Sequence, residues 1–330
     1  GSPSPAGARG VALPPLERSV TESEIRYRHV VAELDRENGL VTITVHGPAG
    51  DAPETVERIH ELGADFWPLA MTRELDDLIL RLRTNELELG TWVLKTRGDL
   101  DRMLGFENAL STHGIAQHSP QDWLVNEIRH YFKRTLKRLD VTSRSLIALI
   151  EPGSCFAGPL LELALACDRS YMLDGLFEDD AASEENEPAQ IMLTASNFGA
   201  FPMGNGLSRL ASRFYGDPEQ LEKLRSEQGR RIGAVEAEEL GLVTYAFDDI
   251  DWADEVRIAL EERASLSPDA LTGMEANHRF VGPETVETKI FARLSAWQNW
   301  IFNRPNAAGP DGALRKFGTG QKAVFDRRRV

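Results

Sequence analysis

Glu162 is the residue of this 330-residue chain best suited to chemistry. It lies in LIALIEPGSCFAGPLLELALACDRSYM, Leu146 to Met172, and its neighbours Leu160, Leu161, Leu163 and Leu165 are all apolar. A carboxylate in that company reads as buried or cleft-facing rather than as a surface helix residue. Its pKa is then raised, which suits proton transfer. Just ahead of it, Pro152, Gly153 and Gly158 interrupt the chain as a turn demands. A turn that opens into a helix presents N–H groups to an anionic oxygen. The stretch therefore predicts an oxyanion site beside one acid–base group.

Other reactive side chains read more plainly. Cys155 lies near a helix start, which lowers a thiol pKa. No histidine is close in sequence, so a small buried apolar residue is the better reading for Cys155 and for Cys167. The seven histidines show no metal-ligand spacing. His113 and His118 read as solvated residues of a loop before a long helix. Asn197 and Asn205 fall in the turn-rich NFGAFPMGNG, where turn formation is the default.

The elements that must position Glu162 follow from periodicity. Tyr27 to Asp35 and Leu40 to His46 read as two strands joined by a hairpin turn at Glu37-Asn38-Gly39. Thr55 to Leu62 reads as a short helix. Thr72 to Arg83 is predicted to be a longer one, with Leu75, Leu78, Ile79 and Leu82 on one face and Asp76, Asp77 and Arg81 opposite. Thr91 to Thr96 is a buried strand. A helix follows with Ser119 as its cap, Pro120 at its first position, and Leu124, Ile128, Phe132, Thr135 and Leu139 inward. Then come the strand Leu146 to Ile150, a helix over Leu160 to Ala166, and the strand Asp168 to Leu173. The acidic run FEDDAASEENEP reads as a solvated loop. Gln190 to Thr194 is a short strand and Leu207 to Tyr215 a helix. Ala234 to Leu240 is a helix ended by Gly241, and Val243 to Phe247 is a last strand. Helices cover 252–265, 268–279 and 284–302. Past Asn303, glycine and proline suggest an arm rather than a packed element. Alternating strands and helices imply an α/β architecture with right-handed crossovers.

Composition sets the bounds. Apolar residues make up 42% of the chain, enough for a sizeable core, and the net charge is −15. That acidic balance argues against nucleic-acid binding, which needs a basic face, and against a membrane-surface protein. No apolar run approaches the roughly 20 residues of a membrane span. No signal peptide is visible, and two cysteines suit a reducing cytoplasm better than a disulfide scaffold. The opening GSPSPAGARG reads as a cloning scar plus a flexible tail. Residues 1–26 are accordingly expected to be a tail, 27–265 the core, and 266–330 a helical region with an arm.

Three segments together resemble the crotonase (enoyl-CoA hydratase/isomerase) superfamily. They are Ala148 to Asp168; Phe201-Pro202 through Gly206 to Leu210; and Ile232-Gly233-Ala234-Val235-Glu236-Ala237 followed by Leu240-Gly241-Leu242-Val243. Within that superfamily, EPGSCFAG, NFGAFP, SPDALTG and WQNWIFNRPNA resemble the second of the two crotonase-like halves of the benzoyl-CoA-dihydrodiol lyases, from about Tyr27 to Val330. The resemblance implies a spiral of ββα units in two roughly perpendicular sheets, the ClpP-like architecture. It also implies a C-terminal helical region that covers the pocket and builds a trimer or dimer. Trp297 and Trp300 would then be packing or oligomer contacts. Arg327 to Arg329 would be a frayed tail, or would reach a neighbouring subunit or an anionic ligand.

The implied substrate is an acyl-CoA or similar thioester, its carbonyl held as an enolate-like oxyanion between two backbone N–H groups. One donor would come from the turn at Gly158-Pro159, the other from the loop near Met103. Glu162 aligns with the first of two family glutamates. The second aligns with Ala195, which removes a carboxylate and leaves Asn197 as a possible positioner of water. Pro159, which has no N–H, stands where the family places a donor, so Leu160 would have to serve. Ala70 stands where close relatives are expected to carry a cation for the CoA phosphates. No metal, flavin or nicotinamide is implied, coenzyme A being part of the substrate. The implied reaction is ring opening of an epoxide or dihydrodiol of benzoyl-CoA with release of formate. The alternatives are a dehydration, isomerisation or rearrangement in a specialised pathway, or a non-catalytic thioester-binding or scaffold protein.

Overall fold

A computed structural model describes residues 10–114, 122–177 and 187–329. The first hairpin is as expected: strands β3 (Val30–Asp35) and β4 (Leu40–His46) pair antiparallel, with Asp35 opposite Leu40. Gly39 between them takes a positive φ of 69°, which glycine adopts without steric cost. Ahead of this hairpin lie β1 (Ser19–Val20) and β2 (Glu24–Arg26), both antiparallel neighbours. The expectation that 1–26 forms a tail is thus corrected for 19–26. Ile25 is the reason, a lone apolar residue among polar ones that the fold buries completely.

The sheet then turns parallel. Strands β5 (Thr91–Arg97), β6 (Ser145–Ile150), β7 (Arg169–Leu173) and β10 (Tyr245–Phe247) follow β4, giving eight strands in the order β1-β2-β3-β4-β5-β6-β7-β10. All six residues of β6 are buried because both faces of the sheet are covered, and a parallel strand covered on both faces reads as an unbroken apolar run. On one face pack α2 (Trp67–Asn85) and α4 (Trp123–Asp140), through Leu75, Leu78, Ile79 and Leu82 and through Ile128, Phe132 and Leu139. On the other, Val93, Ile147, Leu149, Tyr171 and Leu173 pack on Trp252 of α9 (Asp249–Ser265). A second sheet is only the pair β8 (Ile191–Met192) and β9 (Arg231–Ile232), joined to Ala157 by one bridge.

Several boundaries differ from expectation for identifiable reasons. The expected helix at 72–83 starts earlier, at Trp67, where Pro68 occupies the first turn. Asp76 on its supposedly outer face is buried against Tyr131 and Arg138. The cap of α4 is Asp122, whose carboxylate accepts from the N–H groups of Leu124 and Val125 at 3.0 Å. His118, Ser119 and Pro120 lie outside the described residues, as does most of the acidic run after Phe177. Helix α3 (Leu100–Gly114) occupies the stretch read as a loop around Met103 and His113.

Of the remaining helices, α1 (Val56–Leu62) is capped by Thr55, α5 is Leu161–Leu165, α6 is Arg209–Arg213 and α8 is Ala234–Glu239. Helix α7 (Pro218–Ser226) was not anticipated, although Asp217 caps it and Pro218 begins it. Beyond α10 (Pro268–Arg279), the single helix expected over 284–302 is a π-helical run, Thr288–Leu294, continued by α11 (Ser295–Phe302). Trp297 and Trp300 contact edge to face, and Trp297 packs over Gly273.

The expected loose arm is corrected too. Arg329 is buried and its N–H donates to Leu87 O at 2.9 Å. Asp326 N donates to Asn306 Oδ1 at 2.8 Å, and Arg327 reaches Glu37 O at 2.7 Å. These bonds lay the segment along the start of the sheet.

Candidate active site

The sequence places Glu162 at the start of a helix after a glycine turn, and the structure does the same. The turn exists because Gly158 takes φ +47° and Pro159 cannot donate backward. Residues 158–160 then wind into α5. Glu162 is 1% exposed. One carboxylate oxygen accepts from Asn197 Nδ2 at 2.8 Å, the other from Arg209 Nη1 at 2.7 Å. Arg209, also buried, grips Asp140 through Nε at 3.0 Å and Nη2 at 2.6 Å.

One guanidinium is therefore shared by two carboxylates in a dry site. Burial raises the Glu162 and Asp140 pKa values, and Arg209 offsets this in part. Burial opposes the Arg209 charge, but its two carboxylates outweigh that and raise its pKa. The raised direction for both acids is physically sound, because one cation cannot fully balance two anions at low dielectric. Each Glu162 oxygen still has a lone pair beyond its bond.

Asn197 is fully buried and fully used. Its Nδ2 also donates to Gly158 O at 2.9 Å, and its Oδ1 accepts from Thr194 N at 3.0 Å. It positions Glu162 and the turn rather than sitting free for a water molecule. Ala195 is exposed on the same short helical turn, Ala195–Phe198. Asn205 is a turn residue, its Oδ1 accepting from Leu207 N.

The expected oxyanion donors are all engaged. Gly158 N donates to Met192 O, Leu160 N to Ala157 O, Leu161 N to Gly158 O and Glu162 N to Pro159 O. Pro159 has no N–H to give. Met103 lies within α3, so its N–H donates to Asp99 O at 3.1 Å as a helical bond. In this conformation neither the Met103 nor the Leu160 N–H is free. Met103, Pro159, Leu160, Arg129 and Phe201 instead line a cavity of 20 Å³, roughly room for one water. A cleft of 500 Å³ lies elsewhere, against α10, and shares only Asp140 and Arg209 with the Glu162 network.

One residue that sequence reasoning missed stands beside this turn. Glu107 of α3 is 6% exposed. One of its oxygens accepts from Thr194 Oγ1 at 2.5 Å and from Ser196 Oγ. Its other oxygen, Oε2, is buried with no hydrogen-bond partner among the described residues. Burial raises its pKa, and the Ser196 and Thr194 hydroxyls and Arg129 pull the other way. The signal was present: Leu100, Met103, Glu107 and Leu110 recur at helical spacing, a buried stripe with an acid on it.

Cys155 and Cys167 are buried free thiols. Burial pushes Cys155 up to about 11 and raises Cys167 further, which makes both poor nucleophiles. His113 lies on α3. Ala70 is buried within α2. Among the described residues no group of three or more His, Cys, Asp or Glu is arranged to hold a metal ion, and no helix is long and apolar enough to cross a membrane.

Known proteins resemble this chain in sequence and in fold. Benzoyl-CoA-dihydrodiol lyase of Aromatoleum evansii is 53% identical over 326 residues, which cover 99% of this chain and 56% of that protein. The chain is a homologue of that lyase with a crotonase fold. It spans about half of the relative's length. An enoyl-CoA hydratase structure from Geobacillus kaustophilus superposes with a TM-score of 0.62 at 16% identity, covering 92% of this chain and 98% of that one. The enoyl-CoA hydratase of Bacillus anthracis gives 0.59 at 16% identity, covering 91% and 100%. At that identity the structures establish the fold alone. No family model matches the chain. The Gly158 turn follows β6 within the parallel β4–β7 run.

Proposed function

We propose that this chain acts on a coenzyme A thioester, as a lyase of the kind named for its relative. The observation that carries the reading is the 53% identity across 99% of the chain. Glu162 supports it, as a buried carboxylate fixed at the helix start where a crotonase handles protons. In its most specific form the substrate is an epoxide or dihydrodiol of benzoyl-CoA, and ring opening releases formate. The thioester carbonyl is the electron sink, so the proposed chemistry calls on no metal, flavin or nicotinamide.

In the conformation described, 20 Å³ beside Pro159 cannot hold an acyl group. Admission of substrate requires α3 to move away from the turn, and unwinding of its first turn would free the Met103 N–H from Asp99 O. The test is incubation with aryl- and enoyl-CoA esters read by mass spectrometry, with Glu162→Gln as comparison. Turnover is expected in the wild type. A loss of about 10²- to 10⁴-fold in kcat is expected in the variant. Full activity in Glu162→Gln removes that residue from the chemistry.

A second reading is a non-catalytic thioester-binding or scaffold module. The engaged amides of residues 158–162 and the exposed Ala195 favour it. Binding of CoA thioesters with no turnover of any of them would decide for it.

The proposal also includes a division near residue 265, a homo-oligomer and a cytoplasmic location. Exposed Phe291 and Leu294 on the π-helical run, with Val286 just before it, support a dimer or trimer contact, which sedimentation equilibrium tests. Two buried free thiols support a reducing compartment.

A further inference from the structure

With alanine at 195, crotonase-type proton chemistry with two carboxylates is not available to this chain in its usual form. The molecule nevertheless brings a second carboxylate to that segment from another element. Glu107 reaches out of α3 and is held by the hydroxyls of Thr194 and Ser196, the two neighbours of Ala195 in sequence. Both hydroxyls bind the same oxygen, so they fix the carboxylate's orientation and leave Oε2 unengaged.

That atom points at the turn. A Cβ placed on Gly158 would lie 2.0 Å from Glu107 Oε2 and 2.8 Å from the carboxyl carbon. The absence of a side chain at 158 is what lets the carboxylate approach. On the other side of the same glycine, the Gly158 carbonyl shares Asn197 Nδ2 with Glu162. The turn is therefore flanked by two carboxylates, Glu162 locked by Arg209 and Asn197, and Glu107 with one oxygen unbonded.

We propose that Glu107 is the second acid–base residue of this site, supplying from α3 the carboxylate that Ala195 does not. A buried polar atom without a partner carries a free-energy cost, and such an atom aimed at a reactive turn is accounted for by a ligand that bonds to it. In the step assigned to it, ionised Oε2 takes one proton from a water molecule as the water oxygen bonds to the β-carbon of an α,β-unsaturated acyl group and the C=C π bond breaks. The electron pair of that π bond comes to rest on the thioester oxygen. Glu107 then returns the proton to the carbon beside the thioester as the carbonyl re-forms, and so regains its starting charge. The groups that bias its ionisation are the Thr194 and Ser196 hydroxyls, Arg129 of α4, and burial, which acts against charge.

The inference rests on the thioester-enzyme reading, and the experiment separates the two. Wild type, Glu107→Gln and Glu107→Asp are assayed against aryl- and enoyl-CoA esters across pH, with thermal melts as the folding control. Glu107→Gln is expected to fold and bind, to lose about 10²-fold or more in kcat with KM nearly unchanged, and to lose one limb of the kcat–pH profile. Glu107→Asp is expected to recover part of the rate, which a purely structural role would not produce. In parallel, ¹³C NMR of the Glu107 side-chain carboxyl, identified by its loss in Glu107→Gln, is expected to titrate above the ordinary glutamate range. Wild-type turnover with full activity in Glu107→Gln overturns the inference and leaves the enzyme reading standing. Titration in the ordinary range also overturns it. A wild type that binds thioesters and turns none over overturns both.

Discussion

Glu107 and Gly158 form a matched pair, and each constrains substitution at the other. A methyl group at 158 meets Oε2 at 2.0 Å and forces a non-glycine residue to φ +47°. The left-handed backbone costs about 1–2 kcal/mol and the overpacking about 1–3 kcal/mol more. Gly158→Ala should therefore destabilise by about 2–5 kcal/mol, and in a Glu107→Ala background only the backbone part should remain. Equal costs in both backgrounds, by urea denaturation, would refute the close contact. The pH dependence follows from the same carboxylate. Burial raises its folded pKa above the unfolded value of about 4.3. Its contribution is then fully present below the unfolded pKa and is lost as pH rises through the folded one. Glu107→Gln does not ionise, so its stability relative to wild type should increase between acid and neutral pH. A difference that stays flat or falls over that range contradicts the raised pKa.

At the scale of elements, the proposed function has α3 move for substrate to bind. Met103 and Leu110 close the 20 Å³ cavity from its side, and the Met103 N–H is consumed by the first turn. Hydrogen–deuterium exchange on adding a CoA thioester should show the amides of Met103 to Phe106 exchanging faster, while those of α5 do not. Binding without change in α3 would place the acyl group elsewhere, the 500 Å³ cleft against α10 being the alternative. The same helix shows what a sequence reading reaches. Glu162 was legible because its neighbours in the chain are leucines and a glycine turn precedes it. Glu107 was not, because the stretch near Met103 was read as a loop, which hid the apolar stripe through Leu100, Met103 and Leu110. The saturation of Asn197 was equally hidden, since its partners Thr194, Gly158 and Glu162 meet only through the β8 bridge to Ala157. Ser119 was read as the cap of α4, and the folded helix is capped by Asp122 instead.

Across the whole molecule, a few buried charges tie the last described residues to the core. Glu275 of α10 accepts from Arg329 at 3.3 Å and from the Ser145 hydroxyl at the start of β6, and it lies 3.5 Å from Arg263 of α9. Arg329 Nη2 also reaches Ser145 Oγ at 2.9 Å, so one arginine bridges the helical region and the central sheet. Nothing in the local sequence marks this, because Arg327, Arg328 and Arg329 look alike and only the third is buried. Glu275 has its pKa raised by burial, with Asp168 adding to the rise and Arg329 and Arg279 opposing it. Removing Arg329 leaves that carboxylate with less opposing charge in a dry site. Loss of one partner from a buried pair costs about 3–5 kcal/mol. Arg263 and Arg279 remain nearby, so Arg329→Met should fall at the low end, about 3 kcal/mol. Arg328→Met, whose partner is the exposed Asp326, should leave stability essentially unchanged. Urea denaturation of the two variants side by side checks the contrast. If they are equally mild, the tail is a surface decoration. If Arg329→Met alone is costly, and limited proteolysis then cuts between Gly318 and Arg328, the tail is a strap that holds α10 against the sheet.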